Sequence, residues 1–411
     1  MKQQRFLILI ITVISAALSV MGQAYSNALL NKATSGNASS QYELGLCYEN
    51  GNGVEPNLVE AVKWYKKASE KNHVEAVFRL GCILFDGYYD YDAQLGYKNC
   101  KDGLNYLIQA KKSGHKSAGE VIDRVCSMTP ESWGAMNYNH EVLFYKETPA
   151  TDIALLIDNE ANLLKTASTN PASRFYLGII EEWKENYKEA LDHFIKARAI
   201  LYPNGEMITV EEKDPINGEE MDYAIEAYIN DRLGYYYENG LGTETDYTKA
   251  LKYWTESDTR DAFYAPGSSA YQHYTHIALC YKKMGQPTKY VKCLEEHQYQ
   301  TSHWGVGGDC MLSLWLAEAY RTGYGTQKDP VKAFNLFNKI TDFELWGEPI
   351  YEAQPWIYAD ACYRIYQMYS KGEGVKMDMN EAKIYFEQAL RHGSGCALNE
   401  YYKQMKASGK L

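Results

Sequence analysis

Four times in 411 residues the chain spells a Gly-x-Gly pair with the same neighbours at the same distances. The pairs are Gly51/Gly53, Gly240/Gly242, Gly323/Gly325 and Gly372/Gly374, and a tyrosine stands three residues before each: Tyr48, Tyr237, Tyr320, Tyr369. Eight residues after the second glycine comes an alanine (Ala61, Ala250, Ala333, Ala382), with a capping residue four before it (Asn57, Asp246, Asp329, Asp378). Aromatic residues follow the alanine at three and four: Trp64 and Tyr65, Tyr253 and Trp254, Phe337, Tyr385 and Phe386. Fixed spacing in separated copies signifies a repeat architecture, in which each unit buries its apolar face against its neighbours.

One unit can be read physically. Leu44 and Tyr48 lie four apart and share a face of a first helix. Gly45 leaves room for close helix approach, whereas Glu49 is expected to face solvent. Gly51 and Gly53 suit the left-handed backbone of a tight helix exit. Asn57 caps a second helix, with Glu60 three residues on as a capping box, and Pro330 after Asp329 fits a first helical position. Ala61, Trp64, Tyr65 and Ala68 form the apolar stripe of that helix. The glycine run ends in Val54-Glu55-Pro56 rather than Gly-Lys-Ser/Thr, so it is a turn and not a phosphate loop.

The pattern resembles the Sel1-like repeat, a relative of the tetratricopeptide repeat with a longer inter-helix turn. Leu44, Gly45, Tyr48, Gly51, Gly53, Val54, Ala61, Trp64 and Ala68 match the family's motif; Ser40 and Asn57 depart from it. A second unit starts at Ala76 with Leu80 and Gly81, carries an insertion, and resumes at Gly103, Tyr106 and Ala110. A partial third begins at Ala118. Ala317 and Tyr366 replace the glycine after leucine in the last two units, which puts the helix crossing there in question. Segments 173–197 and 275–296 have the shorter, tetratricopeptide-like turn. The resemblance implies an all-α fold: an α-solenoid of stacked antiparallel helix pairs forming a right-handed superhelix.

Along the chain this gives N-terminal repeats at 38–128, an irregular connector plus one added helix (151–168) over 129–168, and mixed repeats at 169–300 with an acidic loop at 206–222. C-terminal repeats and a capping helix follow at 307–409. Lys2 and Arg5 precede the apolar run Phe6–Val20, with small residues at Gly22 and Ala24. This reads as a signal peptide over 1–24, so export to a periplasmic or extracellular space is expected, with no membrane span after cleavage. A net charge of −11 argues against a nucleic-acid partner.

Chemistry-bearing patterns are sparse. Ser113 and Lys116 spell S-x-x-K, without S-D-N or K-T-G partners in a plausible place, and His140-Glu141 lacks the second histidine of a zinc helix. His273, His276, His297, His303 and Cys310 read as surface and groove residues rather than zinc ligands. "HWGVGGD" at 303–309 reads as a connector. Nine cysteines leave bridges open at Cys47–Cys82 and Cys280–Cys293, with buried thiols as the alternative. No catalytic, cofactor or metal site is expected.

The resemblance implies a scaffold holding a protein or peptide partner in a concave groove. Aromatics beyond the motif positions are candidates to line it: Tyr235 and Tyr236 in "GYYYENG", and Tyr88 and Tyr89 in the insertion. The competing reading is a cell-wall or β-lactam-acting hydrolase on the same array, since some cysteine-rich relatives are connected with β-lactam binding. Those relatives bridge cysteines eight apart; here Cys396 has Gln388 at that distance.

Overall fold

The computed structural model describes residues 24–90, 95–128, 153–206, 215–216, 225–264, 270–304, 310–345 and 348–410. The expected signal segment, the connector 129–152, most of the acidic loop, residues 305–309 and His140-Glu141 lie outside them. The fold is all-α, built of helix pairs, and it divides into two compact units. Unit 1 comprises residues 1–133 and 334–411; unit 2 comprises 134–333.

Unit 1 begins with α1 (Asn27–Thr34), α2 (Ala38–Asn50), α3 (Leu58–Ser69), α4 (Val74–Asp86), α5 (Cys100–Lys112) and α6 (Ala118–Ser127). Between α4 and α5 the insertion forms a ribbon, β1 (Tyr88–Asp90) against β2 (Leu95–Tyr97). In unit 2 the helices are α7 (Ile153–Asp158), α8 (Glu160–Thr166), α9 (Pro171–Trp183), α10 (Tyr187–Leu201), α11 (Ile225–Asn239), α12 (Tyr247–Tyr264), α13 (Ala270–Lys283), α14 (Pro287–Trp304) and α15 (Cys310–Thr322). After α16 (Pro330–Thr341) the chain completes unit 1. The two-residue strands β3 (Glu344–Leu345) and β4 (Glu348–Pro349) come first, then α17 (Ile350–Ala353), α18 (Pro355–Lys371), α19 (Met379–His392) and α20 (Gly395–Ala407).

The Gly-x-Gly turns are built alike in both units. Gly51 and Gly53 have φ of 73° and 76°, and Gly240 and Gly242 have 69° and 65°, angles that side-chain-bearing residues rarely adopt. Each turn is closed by the cap residue's N–H donating to the motif tyrosine's carbonyl. The distance is 2.8 Å for Asn57 to Tyr48, Asp246 to Tyr237 and Asp329 to Tyr320, and 3.1 Å for Asp378 to Tyr369. The cap side chain then accepts from the amide three residues on, as Asn57 Oδ1 does from Glu60 at 3.0 Å and Asp329 Oδ1 from Lys332 at 2.9 Å. The Glu60 carboxylate itself accepts from Lys63 at 2.6 Å.

Gly45 is a seat for an aromatic ring. A Cβ there would lie 2.5 Å from Tyr65 Cε1; at Gly178 it would meet Phe194 at 2.4 Å, and at Gly234 Trp254 at 2.8 Å. Where Tyr366 replaces the glycine, its ring instead packs on Phe386, centroids 4.6 Å apart, so the helix pair α18/α19 still closes. Motif tyrosines stack sixteen residues forward, Tyr237 on Tyr253 at 5.7 Å and Tyr369 on Tyr385 at 5.8 Å. These contacts fix the register of each hairpin.

One expectation changes. The added helix at 151–168 is two short helices, α7 and α8, because Asn159 interrupts it. Its side-chain amide donates to Leu155 O at 2.9 Å, competing with the backbone ladder.

Candidate interaction surface

Much of the polar chemistry serves helix packing. Glu49 does not face solvent: its side chain is 19% exposed, it accepts the phenol of Tyr65, and its other oxygen lies 3.1 Å from Arg79 Nη1 on the next repeat. A glutamate after the motif tyrosine is thus a clasp between three helices. Unit 2 repeats it, with Glu238 Oε2 accepting from Trp254 Nε1 at 3.0 Å and lying 2.7 Å from His276 Nδ1. Burial and the Glu49 carboxylate together raise the Tyr65 phenol well above its usual range.

Further ionic groups join neighbouring helices of unit 2. Arg198 pairs with Glu256 at 2.5 Å and donates to Asn230 at 3.1 Å, while its guanidinium lies over Tyr202. Arg232, almost wholly buried, meets Glu182 at 3.2 Å. Ser257 donates to Asp231 at 2.6 Å. Such buried and half-buried groups link α9, α10, α11 and α12.

The four aromatic candidates fare differently. Tyr236 is core, not surface: it is 0% exposed and edge-on to Phe194 at 5.3 Å. The motif assigns Tyr237 inward, but α10 covers the preceding position as well. Tyr235 is half-buried at the rim, its ring 6.5 Å from Tyr236, and burial pushes its phenol up. Tyr88, also half-buried, packs on the core around Tyr65 and Leu80. Tyr89 pairs with Gly96 in the ribbon, and its side chain lies outside the described residues.

Two exposed aromatics that the motif does not point to lie on α9 and α10. Tyr187 starts α10, is 37% exposed, and its ring lies 6.4 Å from Tyr236. Trp183, four residues earlier at the end of α9, is 62% exposed. Tyr187 and Tyr235 therefore flank one buried ring, and Trp183 stands at the adjoining turn. The signal was present in "EEWKENY", where two aromatics sit in an otherwise charged short turn.

The chemical candidates do not converge. Ser113 is the exposed residue closing α5, and Lys116 is exposed in the following turn. Neither candidate bridge is present, and burial raises the pKa of the Cys82 and Cys280 thiols. His276 lies stacked on Trp254 at 4.1 Å, and His297 is buried beside Tyr274 at 5.2 Å. The side chains of His273 and His303 lie outside the described residues. Among the described residues no group of three or more His, Cys, Asp or Glu could hold a metal ion, and no helix is long and apolar enough to cross a membrane.

The Sel1 repeat family model matches residues 38–73, 74–115, 231–257, 313–342 and 359–394. Chitin synthase regulatory factor 3 of Schizosaccharomyces pombe is 33% identical over 112 residues, covering 24% of this chain and 11% of that protein. DAP3-binding cell death enhancer 1 of Rattus norvegicus is 46% identical over 52 residues, 13% of this chain and 10% of that one. The chain thus spans about a tenth of the length of these curated relatives. A Sel1 repeat protein from Oxalobacter formigenes aligns over 92% of this chain and 90% of its own, with 16% identity and a TM-score of 0.35. A protective antigen of uropathogenic Escherichia coli strains with an SLR fold aligns over 93% and 84%, with 17% identity and a TM-score of 0.29.

Proposed function

We propose that this chain, five of whose segments match the Sel1 repeat model, is an exported, non-catalytic scaffold that binds a protein or peptide partner. The observation that carries this reading is the contrast within unit 2. Arg198, Glu256, Arg232 and Glu182 are engaged between helices, whereas Trp183 and Tyr187 stay exposed, and Tyr187 and the half-buried Tyr235 flank the same buried ring. Rigid aromatics give large contact area at small entropic cost, which suits a recognition surface. Tyr236 supports this patch from beneath rather than touching a partner. Tyr88 and Tyr89 on β1 form a second candidate set in unit 1.

The test is site-specific photo-crosslinking in cells, with benzoyl-phenylalanine at 183 or 235 and at Ile384 as an exposed control. One stoichiometric protein adduct at 183 and 235, absent at 384, is expected. Equal labelling at all three would count against the patch. Export is read from the charged and apolar N-terminus, and intact-mass measurement of the mature chain should place its first residue near 22–25. Retention of Met1 in the mature protein would overturn it. Hydrolysis of nitrocefin or cell-wall fragments by the purified protein would favour the hydrolase reading.

A further inference from the structure

A stack of helix pairs needs a cap at each end, since the last pair otherwise leaves its neighbour-facing side open to water. Among the described residues, the N-terminal repeats of unit 1 end with α5 and then α6. What meets them is the end of the chain: α19 packs on α5, and α20 packs on α6. We infer that residues 379–407, helices α19 and α20, act as an intramolecular cap on the α5/α6 face, a docking surface whose occupant is this chain's own C-terminal helix pair.

The contact is close at its centre and polar at its rim. A Cβ on Gly395 would fall 2.1 Å from Met128 O, and one on Gly393 would fall 2.9 Å from Cys100 Sγ. Backbone therefore approaches backbone where α20 starts. Cys100, Ala397 and Leu398 are fully buried, and Met128 nearly so. Around them Lys101 pairs with Glu387 at 2.6 Å, and the Tyr401 hydroxyl donates to Asn105 Oδ1 at 3.1 Å. Lys111 Nζ donates to the Tyr402 hydroxyl at 3.3 Å, and Lys112 Nζ to Lys410 O at 2.6 Å. Lys101 and Glu387 lie 286 residues apart in sequence. Surface pairs of this kind contribute little each, so the glycine contact and the buried side chains hold the seam while the rim sets its register.

Hydrogen exchange on the full chain reads this directly. In Gly395→Val, amides of α6 and α20 should lose protection together, by at least about tenfold, with α11 and α12 unchanged. Rim variants keep the test open should that chain not fold. Lys101→Glu and Glu387→Lys, which break the pair between α5 and α19, should each speed exchange in those helices and in α6 and α20 by about two- to fivefold, and the double variant should restore it. Faster exchange in α20 with α6 unaltered would overturn the proposal. So would a double variant no better protected than the single ones.

Discussion

The indole Nε1 of Trp254 lies 3.0 Å from Oε2 of Glu238, sixteen residues earlier in the chain. Tyr65 and Glu49 stand in the same relation, at the same spacing, in the other unit. In both cases the carboxylate also holds a cationic or imidazole group from the next repeat, Arg79 or His276. One glutamate therefore ties a hairpin shut and joins it to its neighbour.

Removing that acceptor leaves a phenol and a guanidinium without their shared partner. Glu49→Ala should destabilise unit 1 by about 1–3 kcal/mol, the cost of an unsatisfied buried group. Glu60→Ala, which removes only an exposed pair with Lys63, should stay within ~0.5 kcal/mol. Urea denaturation of the two variants compares them, and equal midpoints would refute the clasp.

Gly45→Leu should cost about 1–3 kcal/mol through overpacking against the Tyr65 ring. Thermal unfolding followed by circular dichroism should show the loss. An unchanged midpoint would mean that Tyr65 can turn away freely.

Tyr235 and Tyr236 are adjacent but should behave oppositely. Tyr236→Ala empties a wholly buried site and should cost about 3–5 kcal/mol. Tyr235→Ala should leave the midpoint nearly unchanged and weaken partner binding at least about tenfold. The reverse order in either measurement would dismiss the rim assignment.

Acid should act on the two units differently. Burial pushes His297 in unit 2 and His392 in unit 1 down to about 4, the latter between the rings of Tyr351 and Tyr358. Their unfolded forms bind the proton first, so stability should fall as pH drops from about 6.5 to 4, by roughly 3 kcal/mol per group at the limit. In unit 1 burial also pushes Asp86 up to about 7, against the pull of Lys98. There the folded form binds the proton first, and stability falls as pH rises from about 3.8 to 7. The two slopes oppose in unit 1, so Asp86→Asn should expose the histidine limb and stabilise unit 1 at neutral pH. A pH series of denaturation midpoints for both chains would detect it; identical profiles would exclude the Asp86 role.

The hairpins were legible because their determinants are local. Gly45, the Gly51/Gly53 turn and the Asn57 cap act within one repeat, and spacing alone reveals them. Glu49 was not legible. It follows a motif residue on a polar stretch, and its ties run sixteen residues forward to Tyr65 and thirty to Arg79. Tyr236 was misread for a related reason: the motif describes how a hairpin closes, whereas α10 of a divergent, short-turned pair covers that ring. The rim residues Trp183 and Tyr187 lie on that same pair, outside the segments the repeat model matches. Contacts between repeats carry no periodic signature, so a pattern read along the chain does not report them.

The division of unit 1 between the two ends of the chain has a consequence for its biogenesis. α6 is complete long before α20 exists, because all of unit 2, roughly 200 residues, must be made in between. At about 5–20 residues per second that is a delay on the order of 10–40 s. Throughout it the first repeats stand with an unfinished end, and unit 2 takes shape before the piece that closes the first repeats has left the ribosome.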